Sequence, residues 1–358
     1  SRWKMKSIRN SNLELLRILC ILAIIGDHFT GQSGIVEWGG IGTNFFYCAV
    51  TSMSRVACSV FVIISAWFLV DKPFNIKKVI HIWLTVIMFT IPLTIYCRCI
   101  GLAGNRDLCK AVLPISGRLL WFASYYMVLI LFTPALNYFL KEAPKKIHMW
   151  ILLILFVLLV LFPSLTTEEG FFRDDLWVFL FLYLLTAYMK KYKSVPNHRK
   201  CLCLFIVLWF MLTLVRALVA NNASASVWIN LIRKYGEFYR SGIQTIPNIM
   251  MAYCLFFVFY GLKIRSSKII NFFAGKTLGA YCFHQVPIWY MYLWTNIFHA
   301  EKYAQLLHGY KRMFYVIISI LLVWMLGVAL ETLRQKIAEL LVEKREYYNK
   351  LCEKSVGC

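Results

Sequence analysis

Residues 11–29 read SNLELLRILCILAIIGDHF. The stretch is apolar and close to the ~20 residues that a membrane-crossing helix needs. It nevertheless carries Glu14 and Arg17 towards one end and Asp27 and His28 at the other. Ionisable groups inside a span cost free energy, so each marks a candidate functional position. His28 follows Arg17 by eleven residues. At about 100° and about 1.5 Å per residue, that is three turns plus only about 20°, with a rise of roughly 16 Å. A guanidinium and an imidazole therefore share one stripe of one helix, half a bilayer apart. Asp27 adjoins His28, but neighbours on a helix do not face each other, so Asp27 is not expected to orient the imidazole.

The rest of the chain suits a membrane. Its 358 residues are 60% hydrophobic and 16% charged, with a mean hydropathy of +0.64. Ten apolar segments can be placed near 12–30, 55–71, 79–97, 119–140, 147–163, 176–190, 201–219, 243–262, 277–298 and 313–333. The expected fold is an all-α integral membrane bundle of about ten transmembrane helices. The net charge of +22 is best read through the positive-inside rule. With Arg2, Lys4, Lys6 and Arg9 inside, Lys and Arg divide roughly two to one in favour of the inner connections, which puts both termini in the cytoplasm. No dense basic run with interleaved aromatics argues for nucleic acid. The connections 31–54, 98–118, 164–175, 220–242 and 299–312 fall outside and are long. The organisation read from this is a membrane domain over 1–334 and a cytoplasmic amphipathic helical tail over 335–358. No cleavable signal peptide is expected.

Most of the twelve cysteines lie in or beside apolar runs, where Cys acts as a small hydrophobe. Cys201 and Cys203 lack zinc spacing. Cys97, Cys99 and Cys109 fall near one loop, which permits a disulfide there. No phosphate-binding glycine loop and no G-x-S-x-G is present.

Several positions carry chemistry or line it. His28, at the outer end of the first span, suits general-base catalysis, because a neutral imidazole accepts a proton near pH 7. Arg55 enters the second span from outside, at the depth of His28, where a guanidinium can hold a developing oxyanion or serve as an ordinary interface anchor. Ser65 and Ala66 lie mid-span and read as helix-packing residues. Trp121 and Tyr125 are i, i+4 and read either as an aromatic belt or as the wall of a substrate tunnel. Tyr281 and His284 are i, i+3 in the ninth span. Counted from its cytoplasmic end, His284 lies about 10 Å deep, with a helix-packing hydrogen bond as the plainer reading. His81, His148, His198, His299 and His308 receive no role.

These blocks resemble the acyltransferase-3 family, integral-membrane O-acyltransferases of bacterial surface glycans. The likeness rests on Asn12-Leu-Glu-Leu-Leu-Arg17 with Arg17-x10-His28; on Arg55-Val-Ala with Phe61-x3-Ser65; on Trp121-Phe122 through Pro134 and Asn137; and on Leu278-Gly279-x-Tyr281-x2-His284. Where the family has Ser-Gly, this chain has Ser65-Ala66, and Cys58-Ser59 stands where relatives often have Val-Pro. The resemblance implies transfer of an acyl group, usually acetyl, from cytoplasmic acyl-CoA to a sugar hydroxyl of a surface polysaccharide or its lipid-linked precursor. Acetyl-CoA is then a co-substrate, no cofactor is permanently bound, and the chain sits in the bacterial inner membrane. On this reading His28 is the general base, with a covalent acyl-histidine as a variant. Arg17, Tyr281 and His284 line the donor channel, and Arg55, Trp121 and Tyr125 serve the acceptor or the oxyanion. The competing expectation is a multi-span exporter of a glycan or lipid. Against it, the chain shows no paired broken helices.

Overall fold

The computed structural model describes residues 10–38, 41–168, 174–220 and 226–355. Among them all regular structure is helical. In chain order the helices are α1 (Ser11–Ser33), α2 (Ile41–Thr51), α3 (Ser54–Leu69), α4 (Ile76–Cys99), α5 (Asn105–Val112), α6 (Trp121–Glu142), α7 (Lys145–Phe156), α8 (Phe162–Thr166), α9 (Asp175–Tyr192), α10 (His198–Ala220), α11 (Val227–Ser241), α12 (Ile246–Gly261), α13 (Lys268–Ala274), α14 (Thr277–Gln285), α15 (Pro287–Tyr292), α16 (Ala300–Leu306) and α17 (Gly309–Ser355). A π-turn at Val157–Leu161 joins α7 to α8. Arg2, Lys4, Lys6 and Arg9, which begin the charge argument, lie outside the described residues.

Each of the ten apolar segments falls on helix. Six helices among the described residues are long and apolar enough to cross a membrane: Asn44–Leu69, Ile76–Cys99, Trp121–Glu142, Lys145–Thr166, His198–Ala220 and Gly309–Leu341. The pair Val227–Ser241 and Ile246–Gly261, bent by 41°, makes a seventh if counted as one span. Three expected spans differ for visible reasons. The apolar run of α1 is interrupted by Glu14, Arg17, Asp27 and His28. α9 has 18 residues and carries Asp175, Lys190 and Lys191 at its ends. Segment 277–298 breaks at Pro287, where Val286 adopts an extended ψ of 119°, as residues before proline tend to. The long connections are also more ordered than loops: α2, α5, α11 and α16 form within them. α17 runs unbroken from the last apolar segment across 334 and 335.

Large apolar side chains such as Trp150, Ile154, Val207, Phe210, Phe314 and Leu322 face outwards. In water that surface would be costly; against lipid it is at home. The chain is a multi-pass membrane protein.

α1 is the centre of the bundle. The Asn10 side chain accepts the Asn12 N–H at 3.1 Å to cap its start, and Gly34, at φ 60°, ends it in the left-handed region, where glycine pays no Cβ penalty. α1 packs against α2, α3, α12, α13, α14, α16 and α17. Two hydrophobic cores meet on it. Leu13, Leu16, Cys20 and Ile24 join the core built by α3, α6, α9, α10 and α12. Ile21, Ile25 and Phe29 join the core of α4, α6, α14, α15 and α17. The seam between the cores follows Arg17, Ile21, Ile24 and His28, spaced i, i+4, i+7, i+11 on one face.

Candidate active site

Two cavities lie along that seam. The larger, about 210 Å³, has Arg17, Lys78, Thr277 and Leu278 among its walls, with Ile21, Phe61, Ser65, Phe122 and Tyr126. The smaller, about 50 Å³, is lined by Asp27, His28, Ser54, Arg55, Cys58 and Trp121. Ile24 and Tyr281 line both. They stand between an Arg17 chamber and a His28 chamber. The stripe expected from the first helix is thus the common wall of both.

The surrounding helices deliver matching residues because of their directions. α14 runs parallel to α1, so Thr277 and Leu278 meet the Arg17 chamber while its last turn reaches His28. α3 and α6 run the other way. Arg55 and Trp121, near their starts, meet the His28 chamber; Ser65 and Tyr126 meet the Arg17 chamber.

Around His28, the Arg55 guanidinium carbon sits 5.1 Å from the Trp121 ring centre, and Arg55 Nη1 is 3.8 Å from Asp175 Oδ2. Asp27, in the wall of the same chamber, faces Arg240 at 3.9 Å. Arg240 in turn bonds Glu237 at 3.0 Å, and Glu237 lies 3.7 Å from Arg216. At the other chamber, Arg17 Nη1 donates to Glu14 Oε1 at 3.1 Å and keeps 27% side-chain exposure. The guanidinium is therefore anchored on one side and open on the other.

His284 corrects an expectation. Its ring lies 5.4 Å from the His28 ring, at the His28 end of the seam and not towards the Arg17 end. α14 is a nine-residue helix, and it packs so that its last turn lies beside His28. His284 Nδ1 is 2.7 Å from the Ala280 carbonyl. A carbonyl only accepts, so Nδ1 carries the hydrogen and Nε2 is bare; Nε2 is buried without a partner. The plainer reading, an intrahelical packing bond, accounts for one ring nitrogen and leaves the other unexplained.

Trp121 and Tyr125 part company. Trp121 lines the His28 chamber. The Tyr125 hydroxyl donates to Asp174 Oδ1 at 2.5 Å and receives Arg118 Nη1 at 2.9 Å, and Tyr125 is in the wall of neither chamber. Ser65, read as a packing residue, instead lines the Arg17 chamber and accepts the Tyr126 hydroxyl at 3.0 Å; Ala66 is fully buried. Cys97, Cys99 and Cys109 are free thiols, the first buried and the others exposed, so the structure has no disulfide among them.

Sequence reasoning missed Gln285, whose amide contacts His28 Nδ1. It also missed Lys78, Tyr126 and Cys58 as wall residues. Lys78 was legible only as one of several inner lysines.

α14 approaches its neighbours closely because of two glycines. A Cβ on Gly279 would stand 2.3 Å from Glu331 Cβ, and one on Gly327 would stand 2.6 Å from Ala280 Cα. Glu331, buried in α17, is held by Arg334 through two bonds of 2.7 Å and by Gln335 at 2.7 Å.

No curated protein and no solved structure matches the chain. A family model does: the acyltransferase-3 model, described as an acyltransferase domain, matches residues 10–332. That match runs from the cap of α1 through the part of α17 that closes on Gly279, and so takes in both chambers. The chain belongs to the acyltransferase-3 family.

Proposed function

We propose that this protein is a membrane-bound O-acetyltransferase that moves an acetyl group from acetyl-CoA to a sugar hydroxyl of a surface polysaccharide or its lipid-linked precursor. The observation that carries the reading is the pair of adjacent chambers that share Ile24 and Tyr281 in their walls, one with Arg17 and Lys78, the other with His28 and Arg55. CoA is a polyanion with a long narrow arm ending in a thioester. Its phosphates are attracted to the basic end, and the roughly 16 Å from Arg17 to His28 is of the order of an extended pantetheine arm. The thioester carbonyl then reaches the His28 chamber.

There the imidazole of His28 takes the proton of the acceptor hydroxyl as its oxygen attacks the carbonyl carbon. Arg55 stabilises the oxyanion. The C–S bond breaks, the acyl group leaves on the sugar oxygen, and the CoA sulfur takes up a proton. Acetyl is the acyl group that the family resemblance favours.

The same reading gives ten spans with both termini cytoplasmic, a bacterial inner-membrane location, and a helical tail beyond 334 on the cytoplasmic side. Donor enters from the Arg17 end and acceptor from the His28 end. The test is acetyl transfer from labelled acetyl-CoA to surface glycan by protein reconstituted in vesicles. His28→Ala is expected to abolish transfer with an unchanged melting temperature. Near-wild-type turnover by that variant refutes the base role, and no binding or turnover of any acyl-CoA by the wild type refutes acyl transfer in favour of export.

A further inference from the structure

We infer that Gln285 is a positioning residue for His28, orienting the imidazole and setting which ring nitrogen is free to take the acceptor proton. This rests on the reading of His28 as the base and adds a residue to it.

Gln285 is the last residue of α14. Pro287, two residues on, prevents the helix from continuing, and the tight contacts of Gly279 and Gly327 with α17 fix the helix that carries it. Its amide therefore reaches His28 from a rigid element. The amide nitrogen contacts His28 Nδ1 and lies 3.3 Å from Nε2.

The other groups around the ring do not supply this bond. Asp27, on the same helix, pairs with Arg240 at 3.9 Å. Arg55 and Cys58 of α3 and Tyr281 of α14 share the chamber wall with His28. Tyr290 of α15 meets the ring edge-on at 5.5 Å, and its hydroxyl receives Gln32 Nε2 at 3.1 Å. His284 uses its one ring hydrogen on Ala280. Among the described residues no carboxylate has a hydrogen bond or ion pair to this imidazole, and the group in hydrogen-bond contact is a neutral amide.

A general base needs one nitrogen bare and the other held. An amide can do the holding. Its two ends are assigned by the hydrogen-bond network and exchange by rotation about the terminal bond. With Oε1 turned to the ring it accepts the Nδ1 hydrogen and leaves Nε2 with its lone pair for the acceptor. A carboxylate in that position would do the same and would also favour imidazolium. Gln285 fixes the tautomer without adding that charge.

The test uses full-length protein in vesicles, with Gln285→Leu, Gln285→Glu and His28→Ala compared for melting temperature, KM for acetyl-CoA and the pH dependence of kcat. Gln285→Leu keeps the volume and removes the bond; kcat is expected to fall about 10- to 100-fold, on the scale of general-base effects, with KM for acetyl-CoA unchanged. Gln285→Glu keeps an acceptor, so it is expected to recover much of kcat at high pH, with the acid limb of its profile moved to higher pH by about one unit. A merely structural role would leave that limb in place. The inference is overturned if Gln285→Leu stays within about two-fold of wild type, or if Gln285→Glu loses activity uniformly across pH. If Gln285→Leu does not fold, the Gln285→Glu profile alone decides. These outcomes are separable from the base reading: an active His28→Ala removes the base itself, whereas an inactive His28→Ala beside an unaffected Gln285→Leu removes only the positioning role.

Discussion

Replacing Gly279 by Ala adds one methyl group at the place where α14 touches α17. That methyl would stand 2.3 Å from Glu331 Cβ and 2.7 Å from its Cγ and Oε2. Carbon atoms rest about 3.5–4.0 Å apart, so the overlap exceeds an ångström. Glu331 has no easy retreat, since Arg334 and Gln335 hold both carboxylate oxygens and the residue is only 2% exposed. The helices must therefore separate by about 1 Å, and overpacking of this kind costs about 1–3 kcal/mol. The displaced helix carries Tyr281, His284 and Gln285. A shift of about 1 Å in a catalytic arrangement can cost about 100-fold in rate. Gly279→Ala is accordingly expected to lower both the melting temperature and kcat/KM. Gly31→Ala in α1, where nothing lies within 4 Å, is the control; Ala favours a helix over Gly by about 1 kcal/mol, so it should be neutral or stabilising. Thermal unfolding and acetyl transfer on the two variants check the reasoning. A Gly279→Ala protein with the melting temperature and rate of the wild type would refute the claim that this contact sets the position of α14.

Ile24→Trp should block the passage proposed between the chambers, abolishing acetyl transfer in the reconstituted assay while CoA binding at the Arg17 end, read by calorimetry, persists. Asn12→Ala leaves two backbone groups without a partner, because Asn12 Nδ2 donates to the Leu262 carbonyl and Oδ1 accepts the Ile264 N–H at 2.9 Å. Each costs about 1–3 kcal/mol, and a clear fall in melting temperature at unchanged KM is expected. Since Cys97, Cys99 and Cys109 are free, adding reductant should leave the melting temperature where it is, whereas a disulfide there would have contributed about 2–4 kcal/mol.

The register of Arg17 and His28 was legible because both lie on one unbroken helix, where angle and rise follow from residue count alone. Reading failed where a contact depends on a second helix or on a break. His284 was expected nearer the Arg17 end, because a rise counted along one helix does not give its level against another; that the last turn of α14 lies beside His28 depends on how the two helices pack. Tyr125 shares a helical face with Trp121, yet its hydroxyl reaches Asp174, 49 residues away, a partner that no periodicity within α6 could indicate. Ser65 looked like a packing residue because small residues usually are, and its bond to Tyr126 requires knowing that α3 and α6 adjoin. Gln285 gave no signal at all, since an uncharged amide next to a histidine breaks no rule of membrane composition. Gly279 stands between the two cases. Its place in the Leu278–His284 block was visible, but the reason for it was not: Glu331 lies in a different helix, and the methyl group that Gly279 lacks is the space that lets α14 carry Gln285 to His28.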